Sequence, residues 1–405
     1  MRHLLAGESH GPALVGVVEG LPAGLPLAPD FVRAEMARRR EGHGRGPRAR
    51  GVEDDEVRFL AGLADGVTLG SPLAFVIENR GLAARGRGSP QGWTVPRPGH
   101  ADYAGLVKYG YTECGPAAER ASGRATAGLV AVGACAKALL REFGIEVLSH
   151  VLAIGGVTAA AGAPTAARLR RIRAGTPVRC LDARAAAAMV AAIDAARADG
   201  TTLGGCFEVV AFGLPVGLGS CAQPDTRLDA WLAADVMAIP GVKAVAIGDG
   251  LEVAARPGHE AHDEFWPAPG ARRRGGAGGR VAPARGPAAV ARATNRAGGI
   301  EAGVTNGQPV RVRGWCKPLP TLRRGLRSVD LVTGRAESAP WVRSDTCVVP
   351  AAGVVGEAVV AWRLACALVE ALGGSRLDVM RERWRALAPG RGGRPARAAP
   401  ARRGR

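Results

Sequence analysis

Two histidines of this 405-residue chain lie in short loops that contain glycine. His10 stands within residues 7–12, GESHGP, and His100 within residues 97–102, RPGHAD. An imidazole can transfer a proton near neutral pH, and small neighbours allow a substrate to approach the backbone. Both histidines are therefore candidates for acid–base catalysis, with Asp102 as a carboxylate that could orient His100. The alternative for each is a solvent-facing turn histidine without a function.

Arginine-rich loops supply candidate sites for anions. Residues 38–46, RRREGHGRG, end a predicted helix and place Arg39 and Arg45 in or beside a flexible stretch. The guanidinium fork binds phosphates and carboxylates through paired hydrogen bonds. Residues 119–122, ERAS, are predicted to open a helix whose free amides also attract anions. The alternatives are a basic helix end exposed to water and a simple serine N-cap.

The other polar clusters indicate little chemistry on their own. Residues 317–321, KPLPT, and residues 343–345, RSD, offer cations, hydroxyl groups and a carboxylate. Residues 259–264, HEAHDE, bring two histidines near carboxylates, but they lack the spacing of a zinc site and a third ligand, so a polar loop is favoured. The eight cysteines form no C-x-x-C pair. We therefore predict reduced thiols and no metal site.

The net charge of +18 makes nucleic acid the first partner to consider, because a dense basic surface gains affinity by releasing counterions. Residues 267–292 and 391–405 hold six arginines each without an acid, in stretches of Ala, Gly and Pro typical of low-complexity loops. Residues 33–50 carry seven arginines against two glutamates, and this cluster is the part expected to bind an anion. With only 4% aromatic residues and no nucleic-acid-binding motif, a nucleic-acid-binding protein remains the lesser alternative.

Length and hydropathy favour a cytoplasmic protein with a substantial core, and no membrane partner. A chain of 405 residues fits one large domain or a few ordinary ones. No run of 18 apolar residues is present. Residues 7–10 interrupt the N-terminal apolar stretch too early for a signal peptide.

Hairpin-like strands mixed with helices predict the α+β class rather than a series of βαβ units. Apolar runs bounded by glycine or proline predict strands at residues 13–19, 57–60, 72–78, 206–212, 242–247 and 310–315. Helical spacing and stop signals predict helices at residues 31–40, 125–143, 183–197, 228–237 and 352–372. Asp30 is the predicted N-cap of the first helix.

Taken in order, the segments GESHGPAL, RRREGHGRG, PRPGHADYAG, TNRAGGIEAGVTNGQPV, KPLPTL and RSDTCVVPAAGVVGEA resemble the chorismate synthase family. The resemblance runs from Met1 to the region of Asp378 and omits mainly residues 267–292. It implies one catalytic domain over residues 1–378, interrupted by a low-complexity insertion at residues 267–292, and then a basic, disordered tail over residues 379–405. The implied fold is α+β, with helices sandwiched between antiparallel β-sheets, commonly assembled as a homotetramer.

The resemblance also implies a reaction. Chorismate synthases convert 5-enolpyruvylshikimate 3-phosphate to chorismate by a 1,4-anti elimination of phosphate, which completes the shikimate pathway of aromatic amino acid biosynthesis. The reaction needs reduced FMN although no net redox change occurs, and NADPH is the candidate reductant of the flavin. The substrate carries a phosphate and two carboxylates, and FMN adds another phosphate. A site for two such polyanions needs several fixed cations, which accounts for the arginines.

Matching the family's motifs implies roles for individual residues. His10 is implied to protonate the departing phosphate, and His100 to protonate the reduced flavin. Asp345 is implied to assist removal of the ring proton, and Arg39 and Arg45 to contact NADPH or the substrate. The positions implied to contact FMN are Arg120, Ala121, Ser122, Ala302, Lys317, Pro318, Leu319, Pro320, Thr321 and Arg343.

The chain departs from the family's motifs at several places. Ala302 stands where the family usually has a glycine that brings the backbone close to FMN, and its Cβ could narrow the flavin pocket. Residues 122–126, SGRAT, replace the usual S-A-R-E-T, and residues 79–82, NRGL, replace N-R-D-W. None of these changes removes a proposed catalytic residue, so an active enzyme is expected. A catalytically weakened member of the family is the alternative.

Overall fold

Two antiparallel sheets enclose a layer of helices in the computed structural model of the chain. The structure describes residues 1–46, 55–80, 92–160, 164–172, 176–267, 290–342 and 344–387. Arg343 and most of the predicted insertion, residues 268–289, lie outside these ranges, as do residues 388–405. The arrangement confirms the predicted α+β class with helices between antiparallel sheets.

The described elements alternate irregularly along the chain. The strands are β1 (Arg2–Ala6), β2 (Ala13–Glu19), β3 (Val57–Ala61), β4 (Leu63–Ala64), β5 (Val67–Thr68), β6 (Leu73–Glu78), β7 (Glu146–Ile154), β8 (Val157–Thr158), β9 (Gly205–Phe212), β10 (Val216–Gly219), β11 (Val242–Ile247), β12 (Phe265–Pro267), β13 (Val290–Arg292), β14 (Ile300–Glu301), β15 (Val304–Asn306), β16 (Val310–Cys316), β17 (Arg327–Val329) and β18 (Ala336–Ser338). The helices are α1 (Pro29–Arg40), α2 (Asp102–Tyr109), α3 (Gly115–Arg120), α4 (Thr126–Arg141), α5 (Ala166–Ile172), α6 (Ala183–Ala198), α7 (Leu228–Met237), α8 (Leu251–Ala254), α9 (Gly258–Ala261), α10 (Val349–Leu372) and α11 (Leu377–Leu387).

The first sheet has the strand order β1-β2-β6-β3, and every neighbouring pair is antiparallel. Alternation along β2 buries Leu14 and Val18 on the core face of the sheet. Phe75 of β6 pairs with Gly16 of β2, and a Cβ on Gly16 would come within 2.1 Å of the Phe75 ring. The glycine therefore makes room for a fully buried aromatic ring.

The second sheet has the order β11-β16-β9-β7-β8, again with antiparallel neighbours. Its central strand β9 is buried on both faces. Phe207 and Val209 belong to the main core that includes α10. Val210 points the other way, into a small cluster with Leu169 and Ile172 of α5. This sheet is thus covered by helices on its two sides.

The layer between the sheets is built around the crossing of α4 and α10. Almost every residue of both helices is buried. At the crossing, a Cβ on Gly133 of α4 would lie 2.3 Å from Cβ of Ala358 of α10. The absence of a side chain at Gly133 therefore allows the two helix backbones to approach closely.

A buried charge cluster ties the helix layer to the second sheet. Glu357 of α10 has no exposed area. Its Oε1 lies 2.6 Å from a guanidinium nitrogen of Arg38 and accepts from Ser149 Oγ at 2.6 Å, and its Oε2 lies 2.5 Å from Nζ of Lys137. Burial alone would raise the pKa of Glu357, but the charges of Arg38 and Lys137 hold it well below its usual range. The carboxylate is therefore a paired anion that joins α1, α4, β7 and α10.

The predicted strands and helices are present, with ends that differ by at most three residues from the predicted ones. The predicted N-cap at Asp30 is wrong. Ala28 holds the N-cap position and Pro29 the first helical turn, with Asp30 following it. Proline is favoured there because its fixed φ suits the helix and its missing N–H is not needed.

Two further predictions need correction. Residues 119–122 do not open a helix, because Arg120 ends α3 and Ser122 caps the short 3-10 turn Gly123–Ala125 through a hydrogen bond from the N–H of Arg124. The proposed disordered tail begins with α11, since Met380 and Trp384 pack into the core. The ends of the predicted insertion are also structured, as β12 pairs with β13.

Two helical stretches pass a length and hydropathy test for crossing a membrane, Gly115–Arg141 and Val349–Leu372. However, 83% and 89% of their most apolar windows are buried inside the protein. They are the helices that form the layer between the sheets, and this burial accounts for their apolar composition.

Gly133→Ala is expected to destabilise the protein by about 1–3 kcal/mol, because the new methyl group overpacks the crossing of α4 and α10. Helix propensity alone would make the alanine variant more stable by about 1 kcal/mol. A loss of stability must therefore come from packing. Urea unfolding measures the change. Gly258→Ala is the matched control, since a Cβ there meets nothing within 4 Å. Equal stabilities of the two variants would contradict the prediction.

Candidate active site

A cavity of about 560 Å³ opens at the N-terminal end of α10. Its walls come from the end of α1 and the loop that follows, the loop before α2, and the connection between α3 and α4. Residues 239–241, 316–321 and 344–345 complete the described lining. The volume lies within the range of about 300–1,000 Å³ that is typical of small-molecule and cofactor sites.

Most of the predicted site residues meet at this cavity. Those in the lining are Arg39, Arg45, His100, Ala121, Ser122, Lys317, Pro318, Leu319, Pro320, Thr321 and Asp345. His10, Arg120 and Ala302 are not among the lining residues, and Arg343 lies outside the residues that the structure describes.

Arg45 and Asp345 form an ion pair on the cavity wall. A terminal guanidinium nitrogen of Arg45 lies 2.5 Å from Oδ2 of Asp345, and the backbone N–H of Gly46 donates to Oδ1 at 2.6 Å. With both oxygens engaged, the orientation of the carboxylate is fixed. Among the described residues of the lining, Asp345 is the only acid. It is therefore the candidate proton acceptor.

His100 is held by a fully buried carboxylate. Its Nδ1 lies 2.6 Å from Oδ1 of Asp102, which has no exposed area. Arg97 also binds Asp102, with Nε 2.8 Å and the backbone N 2.9 Å from Oδ2. Burial alone would raise the pKa of Asp102, but the hydrogen bonds from His100 and Arg97 lower it to about 2. Asp102 is therefore an anion at neutral pH.

The contact with Asp102 decides which nitrogen of His100 exchanges protons. An ionised carboxylate only accepts hydrogen bonds, so Nδ1 must carry the hydrogen. A terminal guanidinium nitrogen of Arg97 lies 3.1 Å from Nδ1 and 3.0 Å from Oδ1 of Asp102; because Nδ1 carries the hydrogen and cannot accept, this nitrogen donates to the carboxylate. Nε2 of His100 is therefore the atom left for proton exchange.

Two arginines of the lining share a buried carboxylate. Asp55 accepts from Arg39 through Oδ2 at 2.8 Å and from Arg124 through Oδ1. Burial alone would raise the pKa of Asp55, but the charges of Arg39 and Arg124 lower it. Arg124 also donates to Oδ1 of Asn79 at 2.7 Å, and the amide nitrogen of Asn79 donates to the carbonyl of Gly11 at 2.7 Å. A chain of hydrogen bonds thus joins the arginines to the loop that carries His10.

His10 lies beside the cavity rather than in its lining. Its Nδ1 is 2.6 Å from Oε1 of Glu119, and its backbone N–H donates to Oε2 of the same carboxylate at 2.6 Å. The preceding residue, Ser9, accepts a hydrogen bond from Ser122 Oγ at 3.0 Å. Because Ser122 lines the cavity, the His10 loop is in direct contact with the cavity wall.

The segment Lys317 to Thr321 is held against the His100 loop. Nζ of Lys317 donates to the carbonyl of Gly99. A terminal nitrogen of Arg97 donates to Thr321 Oγ1 at 3.0 Å. These bonds set the separation between two walls of the cavity, so the lysine and the threonine hydroxyl have fixed positions in it.

Ala302 lies in the turn between β14 and β15, away from the described lining. Its φ is +50°, in the left-handed region that alanine rarely adopts. A non-glycine residue there costs about 1–2 kcal/mol. A glycine at this position would adopt the conformation without that strain.

The model of the chorismate synthase family matches residues 1–369. The chain belongs to the chorismate synthase family. The chorismate synthase of Frankia alni is 49% identical over 399 residues, which cover 94% of this chain and 96% of that protein. The chorismate synthase of Bacillus cytotoxicus is 45% identical over 397 residues, covering 94% of this chain and 97% of that protein. A crystal structure of chorismate synthase matches with a TM-score of 0.74 at 34% identity, covering 95% of this chain and 96% of the other.

Membership of the chorismate synthase family confirms the resemblance and, with it, the prediction of a chorismate synthase-type lyase of aromatic amino acid biosynthesis. The crystal structure independently supports the fold class. The short loop motifs were the decisive sequence signal, since His100, Arg39 and Arg45, which these motifs contain, line one cavity.

Sequence reasoning missed two carboxylates that organise the site. Asp55 stands in a run of acids, residues 53–56, EDDE, which gives no sign of which member turns inward. Its φ of +49° lies in the left-handed region, which non-glycine residues rarely adopt and which local propensity does not predict. Glu119 is visible in the ERAS motif, but its contact with His10 spans 109 positions. Only the fold brings these partners together.

Asp55→Asn is expected to lower the free energy of unfolding by about 3–5 kcal/mol near pH 7, because two buried guanidinium groups lose their shared carboxylate. The folded-state pKa of Asp55 is lowered. Its contribution is therefore present above the pKa of an unfolded aspartate, about 3.9, and is lost as the pH falls through the lower folded value.

The difference in stability between the wild type and Asp55→Asn should therefore narrow as the pH falls below about 4. Urea unfolding at pH 7 and pH 3 measures this difference. Asp225→Asn, at an exposed position, is the control. A difference that stays constant with pH would show that the charge of Asp55 is not the source of the stability.

Proposed function

We propose that this chain converts 5-enolpyruvylshikimate 3-phosphate to chorismate by 1,4-anti elimination of phosphate, the last step of the shikimate pathway. The observation that carries the proposal is the meeting of His100, Asp345, Arg39 and Arg45 in one cavity of a chain from the chorismate synthase family. The relatives compared above bear the name chorismate synthase and match over nearly their whole length.

The charge of the cavity suits a polyanionic substrate. Its described lining contains four cations, Arg39, Arg45, Arg124 and Lys317, against one carboxylate, Asp345. The substrate has one phosphate and two carboxylates, each of which a guanidinium group can bind through paired hydrogen bonds. Asp55 and Asp345 hold all three arginines of the described lining in place before any ligand arrives. The entropic cost of ordering these side chains is therefore incurred on folding and does not weaken ligand binding.

Reduced FMN is the cofactor of the proposed reaction, and NADPH is its candidate reductant. The cavity has the volume of a cofactor site, and Lys317 with the hydroxyl groups of Ser122 and Thr321 suits a phosphate-bearing group. Ala121, Ser122 and residues 317–321 would hold FMN, while Arg39 and Arg45 would contact the substrate or NADPH. When bound, reduced FMN supplies electron density for cleavage of the C–O bond and recovers it afterwards. Arg120, Ala302 and Arg343 stay predictions as FMN contacts.

Three side chains move protons in the proposed reaction. His10 donates a proton to the departing phosphate, whose developing charge is thereby neutralised. Asp345, held by Arg45 and the N–H of Gly46, assists removal of the proton from the ring carbon. His100 provides a proton beside the reduced flavin through Nε2, because Asp102 occupies Nδ1.

The proposal includes a homotetramer in the cytoplasm. Leu4, Val17 and Leu60 are exposed on the outer face of the first sheet. Exposed apolar side chains on one face of a sheet suit contact with another copy of the chain. Size-exclusion chromatography with light scattering tests the assembly, and a monomer at micromolar concentration would contradict it.

An anaerobic assay tests the activity directly. Purified protein with photoreduced FMN is expected to convert 5-enolpyruvylshikimate 3-phosphate to chorismate and phosphate. Omitting the flavin should abolish the formation of both products. Repeating the assay with oxidised FMN and NADPH shows whether the chain reduces the flavin itself. Bound reduced FMN without product formation would overturn the proposal.

Two other functions make different predictions in the same experiments. A catalytically weakened family member would fail to bind reduced FMN in a flavin titration. A nucleic-acid-binding protein would bind DNA or RNA with strong salt dependence, and would lose this binding when residues 267–292 and 388–405 are deleted. Flavin-dependent turnover with no such binding supports the proposed enzyme.

Asp102→Asn is expected to lower kcat at least 100-fold, because the amide nitrogen of asparagine would donate toward Nδ1 of His100 and favour the opposite tautomer. The same replacement in the Ser-His-Asp triad lowers kcat by about 10⁴. Anaerobic single-turnover kinetics measure the effect, with flavin binding as the test of an intact site. Asp225→Asn serves as the control. A wild-type rate in Asp102→Asn would remove Asp102 and His100 from the mechanism.

A further inference from the structure

The carboxylate of Glu119 makes two contacts with one residue. Its Oε1 lies 2.6 Å from Nδ1 of His10, and its Oε2 accepts from the backbone N–H of His10 at 2.6 Å. The first contact fixes the plane of the imidazole, and the second fixes the backbone that carries it. The Glu119 side chain is only 13% exposed, while that of His10 is 37% exposed. The carboxylate of Glu119 is thus shielded from solvent, whereas the imidazole of His10 is accessible.

The nitrogen that a carboxylate occupies separates two groups of histidines. Among the described residues, His10 and His100 meet their carboxylates through Nδ1. His43 and His150 meet theirs through Nε2, at Asp194 and Glu208. In the first arrangement the second nitrogen, Nε2, lies at the far end of the ring from the carboxylate. In the part of the chain that the structure describes, only the two histidines of the site and its adjoining loop have this arrangement.

We infer that Glu119 is the positioning residue for His10: it holds the hydrogen on Nδ1 and thereby makes Nε2 the atom that delivers the proton to the departing phosphate. The inference rests on the proposed function, in which His10 is the acid. In the imidazolium form both nitrogens carry hydrogen, and Nδ1–H donates to Glu119. As the C–O bond breaks, its electron pair stays on the phosphate oxygen, which takes the proton from Nε2.

The hydrogen bond to Glu119 persists through this step. His10 ends as a neutral imidazole with its hydrogen on Nδ1, so neither the ring nor the loop has to rearrange. Without the carboxylate, the neutral ring would be free to carry its hydrogen on either nitrogen and to rotate. Pre-organised geometry of this kind supports proton transfer because the donor atom is already aimed.

A double-mutant cycle tests whether Glu119 acts through His10. Glutamine has one acceptor oxygen and so cannot satisfy both the N–H and Nδ1 of His10. Glu119→Gln is therefore expected to lower kcat about 10- to 100-fold with little change in KM, a part of the 10²–10⁴ that a positioned acid supplies. In a His10→Ala background the same replacement should change kcat by less than about twofold.

Equal losses in the two backgrounds would overturn the inference, because Glu119 would then act independently of His10. No loss in either background would overturn it as well. Glu113→Gln is the matched control, since Glu113 is a half-buried glutamate, like Glu119, and accepts only from the N–H of Gly92 among the described hydrogen bonds. Circular dichroism and urea unfolding of each variant separate a folding defect from a catalytic one.

A tautomer measurement tests the inference even if the chain does not form chorismate. Nitrogen-15 NMR of histidine-labelled protein above pH 8 distinguishes the two neutral tautomers, and His10→Ala assigns the signal among the seven histidines. We expect hydrogen on Nδ1 of His10 in the wild type and in Glu113→Gln, and a shift toward Nε2 in Glu119→Gln. An unchanged tautomer in Glu119→Gln would overturn the inference. An inactive wild type with the expected tautomers would overturn only the proposed function.

Discussion

Two consecutive arginines in the last turn of α1, Arg38 and Arg39, lie in different surroundings. The geometry of the site depends on the pairing of each with a buried carboxylate. Successive helical residues point about 100° apart, so Arg38 enters the helix layer while Arg39 reaches the cavity. Arg38 is tied to Glu357 of α10, and Arg39 to Asp55. A buried charge needs a partner, so α1 can pack only where both carboxylates are present. The core ion pair therefore sets the position from which Arg39 and, beyond the helix, Arg45 face the cavity.

Local patterns were sufficient to predict most of the longer elements, but not the contacts that make them a site. Apolar spacing and glycine stops located α4, α7 and α10 within three residues, because these signals act over one or two turns. The N-cap at Asp30 failed because Pro29 competes for the start of the helix. Tertiary pairings such as Asp55 with Arg124 leave no local trace, since they depend on how the first sheet packs against α4.

The net charge of the chain indicates a function only when the charges of each region are considered separately. Two of the buried cation pairs described above, those of Arg38 and Arg39, come from α1, a helix in which arginines outnumber acids. Their guanidinium groups lie 2.6 and 2.8 Å from the carboxylates of Glu357 and Asp55, and Arg39 reaches the cavity. The arginine-rich stretches at residues 268–289 and 388–405 lie outside the described residues. A net charge of +18 thus points to nucleic acid as a total, whereas four of the cations line the described cavity, which we propose binds phosphorylated ligands.

Each of the two proposed acid–base histidines is oriented by a carboxylate at Nδ1, but the two carboxylates lie at different distances along the chain. His100 takes its carboxylate from two residues further along, so the motif RPGHAD already contains the pair. His10 takes its carboxylate from Glu119, 109 positions away, so its orientation depends on where α3 lies against the first loop. Hydrogen bonds from Asn79 to Gly11 and from Ser122 to Ser9 hold the same loop from other sides. The proton chemistry at His100 is therefore a local property of one turn, whereas that at His10 exists only when the first sheet, α3 and α4 are assembled.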